Sequence, residues 1–370
     1  MKASDHLTPL LLVYLSKGVN FLKTSVFYDI KNLVVEETPL PEVPNGKILM
    51  KIDTCAICTW EQRVYTGVKK VEYPFIGGHE IAGEIVQLGE GVEGDWQIGN
   101  QIVFGTNLAC GHCYYCRTGE EQNCLNFDHS KQQPGLPYKG MGGLSEYLVV
   151  DPENIFSYQN VTPAEASLTE PLSCVLHSVE TAEVNFGDYV LIVGAGIMGM
   201  LHLQLAQKRG AIVIVSDPNE ERLKLAKELG AAQIINPVKE NLLEKVLSYT
   251  ESLGAQIIFN TTPNSALIPG LLENLSNTGT LILYSSYYPD EPVGITFDHI
   301  HKTGQKIMGT ANSNKRDFIR AARLISQGVV NVKPFVTKIY PLSQIQEAFD
   351  EAVNTEAFRI VIDFEQERSE

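Results

Sequence analysis

The stretch Gly194-Ala195-Gly196-Ile197-Met198-Gly199 constrains this chain more than any other, because it follows the apolar run 189–193 directly and opens a helical pattern. In that setting the first glycine makes a tight turn, the second lets backbone approach a pyrophosphate, and the third lets a helix pack closely on the strand. The start of the helix, at Ile197 and Met198, then faces the phosphates with the positive end of its dipole. Asp217 ends the next strand, 23 residues after Gly194, where a carboxylate accepts hydrogen bonds from an adenosine ribose. The same carboxylate repels a 2′-phosphate, and Pro218 and Asn219 add no cation to offset it. NAD is therefore expected over NADP.

Around this turn the pattern alternates. Strands are expected over 189–193, 212–216, 256–260 and 280–285, with helices between them closing on left-handed residues at Gly210, Gly230 and Gly279. The alternation predicts a doubly wound parallel sheet. The apolar run 280–285 reads as its outer strand, ending among Tyr284, Tyr287 and Tyr288. An unprotected edge of this kind recruits a partner, so a homodimer or homotetramer is expected.

The remainder has a different texture. From Ser25 to about Val150 short β-rich runs such as 47–53 and 81–87 are separated by Gly and Pro turns, which reads as an antiparallel, barrel-like domain. Past Gly309, two amphipathic helices (316–327 and 342–353) surround short strands, and a last strand over 359–364 returns to the first domain. Residues 22–27 read as the start of a strand, and residues 1–21 as an addition from upstream translation. The intact mass of protein made from its native gene tests the latter.

Composition narrows the partners. With 370 residues, 44% hydrophobic and 20% charged, the chain reads as an ordinary globular protein, two domains being the first expectation and three the alternative, neither disordered nor collagen-like. Its net charge of −15 repels phosphate backbones and anionic lipid, and there is no basic patch, so neither nucleic acid nor membrane is expected as a partner. The apolar run 10–15 is far short of the roughly 20 residues that span a bilayer. Asp5 and the lack of a small-residue cleavage site argue against a signal peptide. The cytoplasm is the expected location.

The cysteines agree. Four of seven fall at Cys110, Cys113, Cys116 and Cys124, in a polar segment with little apolar material to fold around. Four thiolates closing a tetrahedral Zn²⁺ supply on the order of 10 kcal/mol of missing folding free energy and leave no open position for chemistry. An iron–sulfur cluster is the main rival, and disulfides come third. A second constellation joins Cys58, the triplet Gly78-His79-Glu80 and the run Glu170-Pro171-Leu172-Ser173. One thiolate, one imidazole and two carboxylates suit a catalytic zinc with a labile fourth position.

In this order, from the Cys58 motif to the terminal acid, the chain resembles the zinc-dependent medium-chain alcohol and polyol dehydrogenases over about residues 25–364. The resemblance implies a doubly wound Rossmann sheet inserted into a mainly β, GroES-like catalytic domain, with a cleft between them. The corresponding boundaries are 1–24 for an N-terminal extension, 25–174 for the first part of the catalytic domain, 175–308 for the NAD domain and 309–370 for the return. It further implies two zinc ions per subunit, one structural and one catalytic. Cys58 and His79 would bind the catalytic zinc, with Glu80 as ligand or near-ligand. Glu170 stands at the position of a further ligand that the sorbitol-like branch often engages through water, which points to a polyol, sugar or secondary alcohol oxidised to a ketone. Glu61 matches a family Asp that orients the metal-bound imidazole, and Arg222 falls beside the adenosine ribose.

One departure stands out. The family's proton relay starts at a Ser or Thr two positions after the zinc Cys and ends at a His three positions further on. Here those positions hold Trp60 and Arg63, and neither accepts a proton. Either the proton leaves through Glu80, Glu170 or ordered water, with Trp60 as a wall of the substrate pocket, or the enzyme is an NADH-dependent reductase of a conjugated C=C or an iminium. A non-catalytic NAD(H)-binding redox sensor is the third reading. Cys55 forms a C-x-x-C with Cys58 and is read as a buried thiol. Cys174 and His177 are read as packing residues, and His129, Tyr138 and Lys139 as solvated loop residues.

Overall fold

The computed structural model describes residues 21–105, 109–354 and 356–365. They form two compact units, which meet along the chain at Pro171/Leu172 and Ser313/Asn314. Among the described residues no helix is long and apolar enough to cross a membrane. The proposed addition lies, apart from Phe21, outside the described residues.

The first unit opens with the antiparallel pair β1 (Phe21–Asp29) and β2 (Asn32–Pro39). The strand therefore begins inside the segment 1–24 set apart as an extension. Leu22, Val26 and Phe27 are buried, and the Ser25 and Phe27 amides donate to the carbonyls of Leu144 and Phe75 at 2.8 Å, so these residues belong to the domain. The main sheet follows with β3 (Ile48–Ala56), β4 (Glu80–Leu88), β5 (Gln101–Phe104), β6 (Tyr147–Val150) and β7 (Ile155–Ser157). All of their mutual pairings are antiparallel. Helix α1 (Thr59–Tyr65) leaves the end of β3, and α2 (Thr169–Thr181) begins at the unit boundary.

The second unit is a parallel sheet. It contains β8 (Tyr189–Val193), helix α3 (Ile197–Lys208), β9 (Ile212–Ser216), α4 (Glu220–Glu228), β10 (Gln233–Ile235), α5 (Leu242–Tyr249), β11 (Ala255–Asn260), β12 (Leu275–Leu283) and β13 (Lys306–Gly309). The strand order is β10-β9-β8-β11-β12-β13, with every pairing parallel. β8 and β9 are buried along nearly their whole length, as strands covered on both faces must be.

Two expectations are corrected here. Gly210 and Gly230 adopt φ of +83° and +102° after their helices, but Gly279 lies within β12. There the left-handed residue is Thr278, beside a shift in the β11–β12 register. The run 280–285 is not the outer strand either, because β13 pairs with it residue by residue from Thr280↔Lys306 to Leu283↔Gly309. A four-residue strand that is only partly apolar gives too weak a pattern to be seen in advance. The edge strand on that side is thus β13, opposite the other terminal strand, β10.

The chain then returns to the first unit through α6 (Lys315–Ser326), β14 (Val336–Pro341), α7 (Ile345–Ala352) and β15 (Arg359–Asp363). β15 pairs parallel with β14 and antiparallel with β3. Phe349 of α7 meets Phe27 edge-on at 5.3 Å, and Ile345, Ile360, Ile362 and Phe364 join the core formed by Ile48, Met50 and Ile52. Each such fully buried side chain contributes roughly 1.5–3 kcal/mol, so the last fifty residues complete the first domain. Val361 sits opposite Ala56, a register that carries Arg359 toward Cys58.

Candidate metal centres and dinucleotide turn

In the cysteine lobe the four thiol sulfurs lie within 4.8 Å of one another. Cys113 Sγ is 3.4 Å from Cys116 Sγ and 3.9 Å from Cys124 Sγ, and Cys110 Sγ is 4.0 Å from Cys116 Sγ. Tetrahedral Zn²⁺ with Zn–S bonds of about 2.3 Å requires sulfurs about 3.8 Å apart, so the lobe fits that ion. Asn126 Nδ2 donates to Cys110 Sγ at 3.2 Å, and the Cys110 and Asn126 amides donate to Cys124 Sγ. These donors favour thiolate: the Asn126 amide, then the His112 backbone, pull the Cys110 thiol down to about 5.

The second constellation is assembled from distant segments of the first unit. Cys58 is the residue preceding α1, and Glu61 is in its first turn. His79 enters just before β4, held by Gly78, which has φ of +90° and where a Cβ would stand 2.6 Å from the Gly143 and Leu144 backbone. His79 Nδ1 lies 2.7 Å from Glu61 Oε1, which also accepts the Gly78 amide at 3.0 Å. With Nδ1–H donated to Glu61, Nε2 is the ring nitrogen left for a metal.

Ligand atoms of Cys58, Glu61 and His79 lie within 4.8 Å of one another, as do those of His79, Glu80 and Glu170. A soft thiolate beside an imidazole and carboxylates is a donor set suited to zinc. Burial and the Glu80 charge push the Cys58 thiol up, against the opposing pull of His79 and Arg359. Burial lowers the His79 pKa, but Glu61 and Cys58 outweigh it and hold the imidazole well above its ordinary range.

Glu80 is fully buried and bound by both oxygens to Arg359, with Nε–Oε2 and Nη2–Oε1 each 2.9 Å. Arg359 Nη2 also lies 3.9 Å from Cys58 Sγ. Sequence reasoning missed this arginine, whose only cue is a cation heading the apolar run Arg359–Asp363.

Trp60 lines the same place. Its indole meets the His79 ring edge-on at 6.4 Å, stacks on His129 at 5.2 Å, and carries Lys69 Nζ 4.9 Å from its centroid. His129 is therefore not a solvated loop residue. It also abuts Phe127 at 4.6 Å, and burial, followed by the His79 and Lys69 charges, pushes its pKa down to about 4. Tyr138 and Lys139 do face the surface, hydrogen-bonded to Tyr28 and Glu72. Cys55 is a fully buried core thiol, and Cys174 and His177 are half-buried on α2.

In the second unit the glycine turn has the shape expected of it. A Cβ on Gly199 would stand 1.9 Å from the Gly194 carbonyl oxygen, whereas one on Gly196 would meet nothing within 4 Å. Gly196 precedes α3 with no side chain capping the helix, so the first-turn amides are uncovered on the side where backbone is most approachable. Asp217 Oδ2 accepts the Ala195 amide at 2.7 Å and Oδ1 the Asn219 amide at 2.8 Å. This fixes the carboxylate against the turn. The half-buried Arg222 follows in the first turn of α4, its amide donating to Asn219 Oδ1 at 3.1 Å.

Residues 44–160 match the alcohol dehydrogenase GroES-like domain, and residues 198–327 match the zinc-binding dehydrogenase domain. L-threonine 3-dehydrogenase of Pyrococcus abyssi is 30% identical over 343 residues, covering 90% of this chain and 95% of that protein. The chain belongs to the zinc-dependent medium-chain alcohol and polyol dehydrogenases. Within this family it is also 27% identical to sorbitol dehydrogenase of Halalkalibacterium halodurans, over 90% of this chain and 95% of that one. D-arabitol-phosphate dehydrogenase of Enterococcus avium is 27% identical over 94% of this chain and 97% of its own length. Two solved structures share the fold. One is a zinc-binding dehydrogenase of Sinorhizobium meliloti bound to NADP, with a TM-score of 0.84, 23% identity and coverage of 93% of this chain and 99% of that one. The other is an Escherichia coli alcohol dehydrogenase complexed with NADH, with a TM-score of 0.83, 23% identity and coverage of 93% and 100%. The family is thus a GroES-like domain joined to a Rossmann-type domain, and the protein is an oxidoreductase of the zinc-binding dehydrogenase class.

Proposed function

We propose that the protein oxidises a secondary alcohol, polyol or sugar to the ketone with NAD, using one catalytic and one structural zinc. The observation that carries this reading is that His79 shares one cluster of donor atoms with Cys58 and Glu61 and a second with Glu80 and Glu170, drawn from three distant segments. When bound, zinc supplies a Lewis acid that lowers the pKa of a coordinated oxygen by several units, and NAD supplies the hydride acceptor. The remaining work belongs to the chain. Glu61 fixes the His79 tautomer so that Nε2 faces the metal. Arg359 neutralises Glu80, which keeps a second bare carboxylate from competing for the ion. Trp60 closes one wall of the substrate site. With Trp60 and Arg63 unable to accept a proton and Glu80 held by Arg359, Glu170, which shares a cluster of donor atoms with His79, is the carboxylate assigned to take the hydroxyl proton.

Asp217, fixed beside the glycine turn, supports NAD over NADP by repelling a 2′-phosphate. The four converging thiols of the lobe support the structural zinc and a reducing compartment such as the cytoplasm. The open edge at β13 supports a homodimer or homotetramer. The names of the relatives lend no support to the reductase or sensor readings.

The test is NADH absorbance over a panel of sugars, polyols, inositols and secondary alcohols, with NADP⁺ as comparator. Turnover with NAD⁺ is expected. In Glu170→Gln the rate should fall by roughly 10²–10⁴-fold with a changed pH profile; unchanged activity and profile would remove Glu170 from proton transfer.

A further inference from the structure

The sheet of the second unit changes its direction of growth at β8. From β8 the order runs through β9 to β10 on one side, and through β11 and β12 to β13 on the other. A parallel sheet takes its ligand outside the carboxyl ends of the strands that flank such a point. Gly194 follows β8 there, and Asn260 ends β11. The two ends are tied together. Thr261 Oγ1 donates to the Val193 and Gly194 carbonyls at 2.9 and 3.1 Å, and a Cβ on Gly194 would stand 2.7 Å from Thr261 Oγ1 and 2.8 Å from Thr262 Cγ2. The glycine turn and Asp217, which follows β9, are assigned above to the adenosine half of the dinucleotide. The β11–β12 side is then left for the second nucleotide.

On that side one hydroxyl is held in a defined orientation. Asn260 is fully buried, and its Oδ1 accepts the Thr262 amide at 3.2 Å and the Thr262 hydroxyl at 2.8 Å. A backbone N–H can only donate, so this end of the side-chain amide is the oxygen and the other end the nitrogen. Asn260 Nδ2 donates to Tyr287 Oη at 2.9 Å. The phenol oxygen is the acceptor in that bond, so its own proton is directed elsewhere, and among the described residues it meets no acceptor. The half-buried ring packs against the core of the second unit. Burial pushes the Tyr287 pKa up, against the pull of Asn260, so the proton stays on at neutral pH. We propose that Tyr287 donates a hydrogen bond to the nicotinamide riboside half of the dinucleotide. This rests on the dinucleotide reading above and extends it to the half of the cofactor that receives the hydride. A donor already fixed by a buried amide offers a ribose hydroxyl or the carboxamide oxygen a partner without the cost of ordering a side chain.

Isothermal titration calorimetry on the zinc-loaded full chain, with NADH, ADP-ribose and ADP as probes, tests this without requiring turnover. Tyr287→Phe removes only the hydroxyl. Its affinity for NADH is expected to fall about fivefold, the worth of one neutral hydrogen bond, while its affinity for ADP is unchanged. A matching loss with ADP-ribose assigns the contact to the ribose, and an unchanged ADP-ribose affinity assigns it to the carboxamide. The substitution also leaves Asn260 Nδ2 without its partner, so the readout is the ratio of NADH to ADP affinity within each protein. A general loosening of the fold moves both affinities and leaves that ratio alone. An unchanged ratio would overturn the assignment. The two readings fail separately. If NADH binds and Tyr287→Phe binds it equally well, this inference falls and the preference for NAD stands. If NADPH binds in preference to NADH, and Tyr287→Phe loses affinity for NADPH but not for ADP, the inference stands and the preference for NAD falls.

Discussion

The two candidate metal constellations are built in opposite ways. The lobe takes four identical ligands from fifteen consecutive residues, three of them only partly buried, and its loops have almost no core of their own. The Cys58 centre takes unlike ligands from three separate segments and is anchored by a fourth, through Arg359 on the last strand. In the lobe, the proposed metal would substitute for packing. At the Cys58 centre the side chains are held by one another and by the core: His79 bonds Glu61, and the buried Glu80 bonds Arg359. A closed set of equal donors can only hold structure, whereas an unequal set supported from behind can leave a position for chemistry.

The contrast can be broken at either end. The largest effect is expected from Cys116→Ala, which removes a ligand from a site where metal supplies on the order of 10 kcal/mol of folding free energy. Limited proteolysis should then cut within residues 109–127 while the rest of the first unit resists; an intact lobe would show that it folds without its metal. Next comes Arg359→Met, which strands the buried Glu80 carboxylate. Denaturant unfolding should show a loss of about 3–5 kcal/mol, and Glu80→Gln added to it should recover part of that loss. If Arg359→Met alone costs nothing, the centre is not supported from behind as described. The smallest effect is expected from Glu61→Gln. It should weaken zinc at the Cys58 centre by roughly 10–100-fold in a chelator competition and leave the lobe's zinc unchanged.

The same contrast explains what could be seen in the sequence. The lobe was readable because its ligands are local, and the glycine turn because strand, Gly194, Gly199 and Asp217 lie within one β-α-β stretch. Cys58, His79 and Glu170 were found through family resemblance, since no local pattern joins residues 112 positions apart. Arg359 and the stack of Trp60, His129 and Lys69 escaped because they meet only when β15 pairs with β3 and the loop after the lobe returns to α1. Gly279 and the run 280–285 misled for a related reason. A glycine inside a strand, just ahead of its most apolar run, looks like a helix end, and an apolar strand looks like an edge until its neighbour, β13, is known.

The proposed chemistry depends on the Cys58 centre holding a working ion. Elemental analysis of native protein, alongside Cys58→Ser assayed with the best alcohol and NAD⁺, tests it most directly. Two zinc atoms per chain are expected, falling to one in Cys58→Ser with a loss of turnover of about 10³-fold or more, equivalent to about 4 kcal/mol. One zinc per chain before and after the substitution, or turnover that survives it, would contradict the account.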